Sequence, residues 1–278
     1  VQAGGEIVLP TSLSATSASN GGDVQLISGS TRCSTASLTI QAANNIRVTT
    51  ASGFTSSPVT TFNGATGIAL SSDLDVTAPS QLFLVSEDAT VTLDASKTIT
   101  TGADAYITAS DIDLDGAISI SSPGTLHVHS SGTTAAISLG SATGGTLTLD
   151  QAELSRISTA GMSVVTVSSS ASDASIGAIT CNDIREDDSD AIQGVVTLLA
   201  SASAVVFSST ASTFVALHVQ AKCGITVESD LMTTTGDLQM DGDNSNGLCS
   251  TSAHGKITLA ASTLTLQSGG QLTLGAST

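Results

Sequence analysis

The chain has 278 residues, 40% of them hydrophobic but only 2% aromatic and none tryptophan, so its interior is a thin layer of aliphatic side chains. Seven Lys and Arg stand against 24 Asp and Glu, a formal net charge of −17, which repels nucleic acid and other polyanions along most of the surface. A charged fraction of 11% is too low for a disordered polyelectrolyte, and no stretch has the make-up of a leader or of a membrane-spanning helix, so no membrane insertion is expected.

Strand-like alternation starts at Glu6-Ile7-Val8-Leu9 and continues through Val24-Gln25-Leu26-Ile27, Leu38-Thr39-Ile40 and Ile46-Arg47-Val48, with uneven spacing over the first 66 residues. Gly53-Phe54-Thr55-Ser56-Ser57-Pro58 reads as a loop at a corner, because proline cannot donate to a ladder and glycine supplies turn geometry.

From Ile68 to Leu149 short apolar triplets recur in columns, at intervals of roughly 19–25 residues. Ile68-Ala69-Leu70, Val91-Thr92-Leu93 and Ile112-Asp113-Leu114 form one column. Leu74-Asp75-Val76, Ile99-Thr100 and Ile118-Ser119-Ile120 form a second, and Leu82-Phe83-Leu84, Tyr106-Ile107 and Leu126-His127-Val128 a third. Period-two alternation turns the aliphatics inward and Thr, Ser and Asp outward. Helical spacing of apolar residues is scarce, β-branched residues dominate, and glycines recur too often for long helices.

Beyond Leu149, Asp150-Gln151-Ala152-Glu153-Leu154-Ser155-Arg156-Ile157 suits one helical turn, with Glu153 and Arg156 at i, i+3. The acidic run Arg185-Glu186-Asp187-Asp188-Ser189-Asp190 breaks the strand spacing and reads as an excursion from a corner at about residues 183–193. The period then returns in a column of Val196, Leu217, Leu238 and Ile257, beside a second column of Val205, Ile225 and Leu264. Leu272-Thr273-Leu274 closes the series.

The columns predict an all-β fold, a single-stranded parallel β-helix (β-solenoid) with three short strands and about 20 residues per turn. A sandwich of evenly spaced short strands is the alternative. No linker divides residues 1–278, so one continuous solenoid domain is expected, on the order of 13 turns and roughly 60 Å long. Neither end carries a polar cap, which predicts that further turns of a longer chain or a neighbouring subunit cover both.

The segments Ala152–Thr159, Thr213–Val219, Gly224–Val227, Gly236–Asp243 and Thr263–Gly270 resemble repeats of very large filamentous-haemagglutinin-like surface proteins. The resemblance covers most of the chain from about residue 67. It implies a right-handed parallel β-helix exported to the cell exterior. The amino-terminal secretion module of that family is not in this sequence, and the family supplies no catalytic residues to carry over.

Four cysteines in an exported chain suggest disulfides. Cys223 and Cys249 stand about one turn apart and are candidates for a bridge, against the alternative of buried free thiols. Cys33 and Cys181 lie several turns apart and cannot join within one chain. The oxygen-rich stretch from Asp241 through Asp243 and Ser245 to Gly247 looks like a calcium loop, though Asn246 and Ser252 stand where an EF-type loop has Gly and Glu. A turn capped by Asx side chains explains the same residues. Asp111, Asp113 and Asp115 form an outward carboxylate row, and His127 and His129 an outward pair without a third metal ligand. No zinc spacing, phosphate loop or nucleophile elbow is present. Paired carboxylates suit polysaccharide cleavage, but Lys97, Lys222 and Lys256 are isolated and aromatics for sugar stacking are scarce.

These readings converge on a non-enzymatic structural protein, an extracellular rod-like segment of a surface fibre whose copies stack head to tail. The alternatives are an adhesin binding a receptor or polysaccharide on its outer face, with the 185–190 run the first place to look, and then a polysaccharide-degrading enzyme.

Overall fold

The computed structural model describes residues 6–9, 12–15, 23–28, 30–33, 38–50, 54–56, 60–76, 79–87, 89–132, 135–166, 177–243 and 256–275. They divide into two compact units, residues 1–127 with 158–160, and residues 128–157 with 161–278. Among the described residues the fold is all-β with parallel sheets, apart from two single helical turns, Gln151–Leu154 and Glu186–Ser189.

In the first unit the chain visits three sheets in rotation, so each strand pairs with the one three places further on. Val24–Ser28, Asn45–Thr50, Gly67–Leu70, Thr90–Leu93 and Asp111–Leu114 form one sheet. Leu38–Ala42, Thr60–Gly64, Leu82–Val85 and Ala105–Ala109 form the second. Ser30–Cys33, Phe54–Ser56, Leu74–Val76, Thr98–Thr101 and Ala117–Ile120 form the third.

Parallel register stacks like on like. Val24, Ile46, Ile68, Val91 and Ile112 stand in one line, and Leu26, Val48, Leu70, Leu93 and Leu114 in the next, all of them buried. Each such side chain contributes about 1.5–3 kcal/mol through burial, and the lines fill the interior that tryptophan would occupy elsewhere. The alternate positions, Gln25, Arg47, Ala69, Thr92 and Asp113, face outward.

Spacing over the first 66 residues is uneven, as expected: the line through Val24, Ile46 and Ile68 steps by 22 residues, whereas Ile7 to Thr31 takes 24 and Leu13 to Ile40 takes 27. One expectation for this region is corrected. Phe54–Ser56, expected as a corner loop, is a strand laddered to Leu74–Val76 on one side and to Thr31 and Arg32 on the other. Neighbours on both sides hold it extended, and Gly53, Ser57 and Pro58 lie outside the described residues.

The second unit also has three sheets. Met162–Thr166, Val195–Ala200, Ala216–Ala221, Leu238–Asp241 and Leu272–Gly275 make one. Leu147–Leu149, Ile137–Gly140, Ile179–Asn182, Val205–Phe207, Ile225–Val227 and Ile257–Leu259 make another. Ser212–Phe214, Leu231–Thr233 and Leu266–Gln267 make the third.

The expected columns through Val196, Leu217 and Leu238, and through Val205 and Ile225, are present. Their last members differ. Ile257 continues Ile225, not Leu238, and the partner of Leu238 is Leu272. The circuit from Leu238 to Leu272 is longer than the one from Leu217 to Leu238 before it, and 15 residues separate Asp241 from Ile257, so an interval of nearly normal length from Leu238 to Ile257 links two different sheets.

Glycine permits one unusually short parallel connection, from Ile137–Gly140 to Leu147–Leu149. Gly140 has φ +70°, and a Cβ there would lie 2.2 Å from the carbonyl oxygen of Asn182. The helical turn expected after Leu149 forms at Gln151–Leu154. The Asp150 carboxylate accepts the Glu153 N–H and the Glu153 carboxylate accepts the Asp150 N–H, both at 2.8 Å.

Candidate functional site

Of the expected calcium ligands, Asp241 ends the strand Leu238–Asp241 and Asp243 is buried two residues on, while Ser245 lies outside the described residues. The Asp243 N–H donates to Asp241 Oδ1 at 3.0 Å, an Asx turn of the kind the sequence offered as the alternative. Cys223 is disulfide-bonded and buried, with its Sγ 3.3 Å from the Ala202 carbonyl oxygen. Its expected partner Cys249 lies outside the described residues. Cys181 is a free thiol, fully buried in the line Leu139, Cys181, Phe207. Cys33 ends a strand paired with Glu6–Leu9.

Asp111, Asp113 and Asp115 alternate with buried Ile112 and Leu114 and point outward. At roughly 6.8 Å between alternate residues of a strand, their carboxylates do not converge. Among the described residues no group of three or more His, Cys, Asp or Glu is placed to hold a metal ion. The acidic run folds as the turn Glu186–Ser189. Asp188 accepts the Arg185 N–H at 2.8 Å, Arg185 reaches Asp183 at 3.3 Å, and the Ser189 hydroxyl donates to the Thr213 carbonyl at 2.9 Å.

His127 is half-buried, its ring lying on Tyr106 at 4.5 Å and 7°, and Tyr106 lies on Phe83 at 4.7 Å and 7°. These distances match the spacing of neighbouring strands, so the rings form a flat stack on the outer face. Desolvation by burial lowers the His127 pKa, against the opposing charge of Asp104. Burial, then the charge and hydrogen bond of Asp104, raises that of Tyr106.

A set of residues that sequence reading missed ties rung to rung. Asp73, immediately before Leu74–Val76, accepts the N–H of Thr98, the residue opposite it at the start of the next strand in the ladder, at 2.8 Å. Asp23 does the same for Asn45 at 3.1 Å, Asp104 for Thr125 at 2.9 Å, Asp230 for Thr265 at 2.7 Å and Asp237 for Gln271 at 2.8 Å. Each carboxylate replaces the carbonyl a longer strand would have offered, extending the ladder by one bond beyond the strand. The signal was present in the sequence as an aspartate directly ahead of a strand, in Asp23-Val24, Asp73-Leu74, Asp104-Ala105, Asp230-Leu231 and Asp237-Leu238.

One surface of the second unit departs from the rule that inward positions are buried. Leu272 continues Leu238, Leu274 continues Met240 and Leu259 continues Val227. The earlier member of each pair is at most 1% exposed, whereas Leu272, Leu274 and Leu259 are 44%, 48% and 50% exposed. Among the described residues, Ile257–Leu259, Leu266–Gln267 and Leu272–Gly275 each have a neighbouring strand on one side alone. The result is a rung with apolar side chains and backbone hydrogen-bonding groups open on the same surface.

No helix among the described residues is long and apolar enough to cross a membrane. Compared with protein-family models, with curated proteins and with solved structures, the chain finds no match in any of the three.

Proposed function

We propose that this chain is a structural segment of an extracellular fibre, wound as a single-stranded, right-handed parallel β-helix with three strands per turn, whose copies join by continuing one another's ladders. The observation that carries the reading is the open rung, where Leu259, Leu272 and Leu274 occupy inward positions and are about half exposed. Large exposed apolar groups beside free strand edges call for a cover. Further turns of a longer chain, or a second copy presenting a rung of the same period, satisfy both the apolar lines and the unpaired backbone groups, and the fibre reading takes the second copy.

Such a contact joins unlike surfaces and grows without closing when its rotation makes no ring. The role is mechanical: ladders transmit load and aliphatic lines exclude water. A net charge of −17 keeps the outer faces from associating sideways, so growth is restricted to the rung surface. Strand order in the circuits supports the coil, and the right hand follows the preference of parallel crossovers.

Electron microscopy of the native material tests this directly. Filaments that disappear in a variant carrying Leu272→Asp and Leu274→Asp are the expected result. Discrete particles at every concentration, unchanged by those substitutions, overturn it.

A further inference from the structure

The outer face of the first unit carries a groove of about 410 Å³, built wholly from residues of that unit. Its floor comes from two successive outward positions of the strand Gly67–Leu70 that hold almost no side chain, Gly67 and Ala69. Register fixes the walls. Asn45 and Arg47 stand beside Gly67 and Ala69 on one side, while Thr92 stands beside Ala69 on the other, with Thr90 two residues before it. The wall-to-wall distance spans two strand spacings, roughly 9.6 Å, wide enough for a sugar ring. Gly67 cannot be replaced without loss of this floor: its φ is +144°, and a Cβ would meet Asn45 Oδ1 at 3.0 Å.

The polar groups of the groove are complementary to one kind of ligand. Arg47 is exposed and has no ion-pair partner among the described residues, although the chain carries 24 acidic side chains to its seven Lys and Arg. A guanidinium with its planar donors free is suited to a carboxylate held by two bonds. Asn45 Oδ1 accepts the Thr66 hydroxyl at 3.2 Å, which leaves the amide nitrogen to donate. Thr90 and Thr92 add hydroxyls on the opposite wall. One carboxylate contact on Arg47 and hydroxyl contacts across a ring's width describe an acidic sugar.

Neighbouring charge sets an upper limit on the ligand's own. Asp23 lines one end of the groove, and Asp113 stands beside Thr92 one strand beyond the wall. A phosphate dianion or a polysulfated chain meets both, whereas a single carboxylate is answered by Arg47. We propose that the groove over Gly67 and Ala69 binds one uronic acid unit, with its carboxylate on Arg47 and its ring hydroxyls on Asn45, Thr90 and Thr92. This site rests on the groove alone and stands whether or not the chain forms fibres.

Equilibrium dialysis with radiolabelled glucuronate tests it on single chains and on assemblies alike, with glucose and acetate as competitors. Saturable binding in the millimolar range is expected, with glucose and acetate competing at least about tenfold more weakly than unlabelled glucuronate. Arg47→Ala, a change at an exposed position, weakens binding about tenfold or more, and Ala69→Leu, which fills the floor, abolishes it. Thr92→Val, which keeps the shape and removes a hydroxyl, weakens it severalfold. No saturable binding, equal competition by acetate, or glucuronate binding unchanged by Arg47→Ala each overturns the assignment.

Discussion

Leu272 stands in register on Leu238, yet Leu238 is fully buried and Leu272 is 44% exposed. Among the described residues a further rung lies against Leu238 and none lies against Leu272. Substitution should therefore separate folding from assembly. Leu238→Ala is expected to cost about 2–5 kcal/mol in urea denaturation. Leu272→Asp, with one side open to water, should change that stability by less than about 1 kcal/mol while abolishing self-association in sedimentation.

The aspartates ahead of the strands make a second, local prediction. Removing the Asp73 carboxylate leaves the Thr98 N–H without its acceptor. Asp73→Ala should cost about 0.5–1.5 kcal/mol, and hydrogen exchange at the Thr98 amide should accelerate about tenfold while amides inside Thr98–Thr101 change less. Asp73→Asn, which keeps an acceptor oxygen, should recover most of the protection.

Stability should depend on pH through His127. Its pKa is lower in the folded chain than in the unfolded one, first because of burial. As pH falls through the ordinary imidazole range the unfolded chain gains its proton first. The contribution is therefore full above that range and is lost progressively as pH drops to the folded value. His127→Phe keeps a ring on Tyr106 and should flatten this part of the stability profile, with the His127 titration followed by NMR in the parent chain.

Burial pushes the Cys181 thiol well above its ordinary pKa, and the residue is fully enclosed. It should resist alkylation in mildly alkaline buffer until the protein unfolds. Cys181→Ser, which places a hydroxyl between Leu139 and Phe207, should cost about 1–3 kcal/mol in thermal or urea unfolding.

Much of the fold is legible in the sequence because a parallel ladder repeats the same register. Once Ile68, Val91 and Ile112 are seen as one line, Val24 and Ile46 extend it. Failures came where spacing and structure part. Ile257 follows Leu238 after almost one regular interval but belongs to the sheet of Ile225, because the last circuit is lengthened after Asp241. Phe54 sits among turn-forming residues, and its ladder partners lie far away in sequence. The clamping role of Asp73 or Asp230 depends on which amide a neighbouring rung brings alongside, so composition alone reads such residues as solvated charge. Nor does alternation reveal the groove, since its shape comes from what Gly67 and Ala69 lack.

The clamp formed by Asp73, Asp104 and their counterparts holds the residue of the next rung by its main-chain N–H. The receiving position is Asn45, Thr98, Thr125, Thr265 or Gln271, so its identity is left open. A turn can thus be copied, deleted or exchanged for another without a compensating change next door. Such a chain can lengthen by duplication inside a gene, each new copy fastened to its predecessor from the moment it is made.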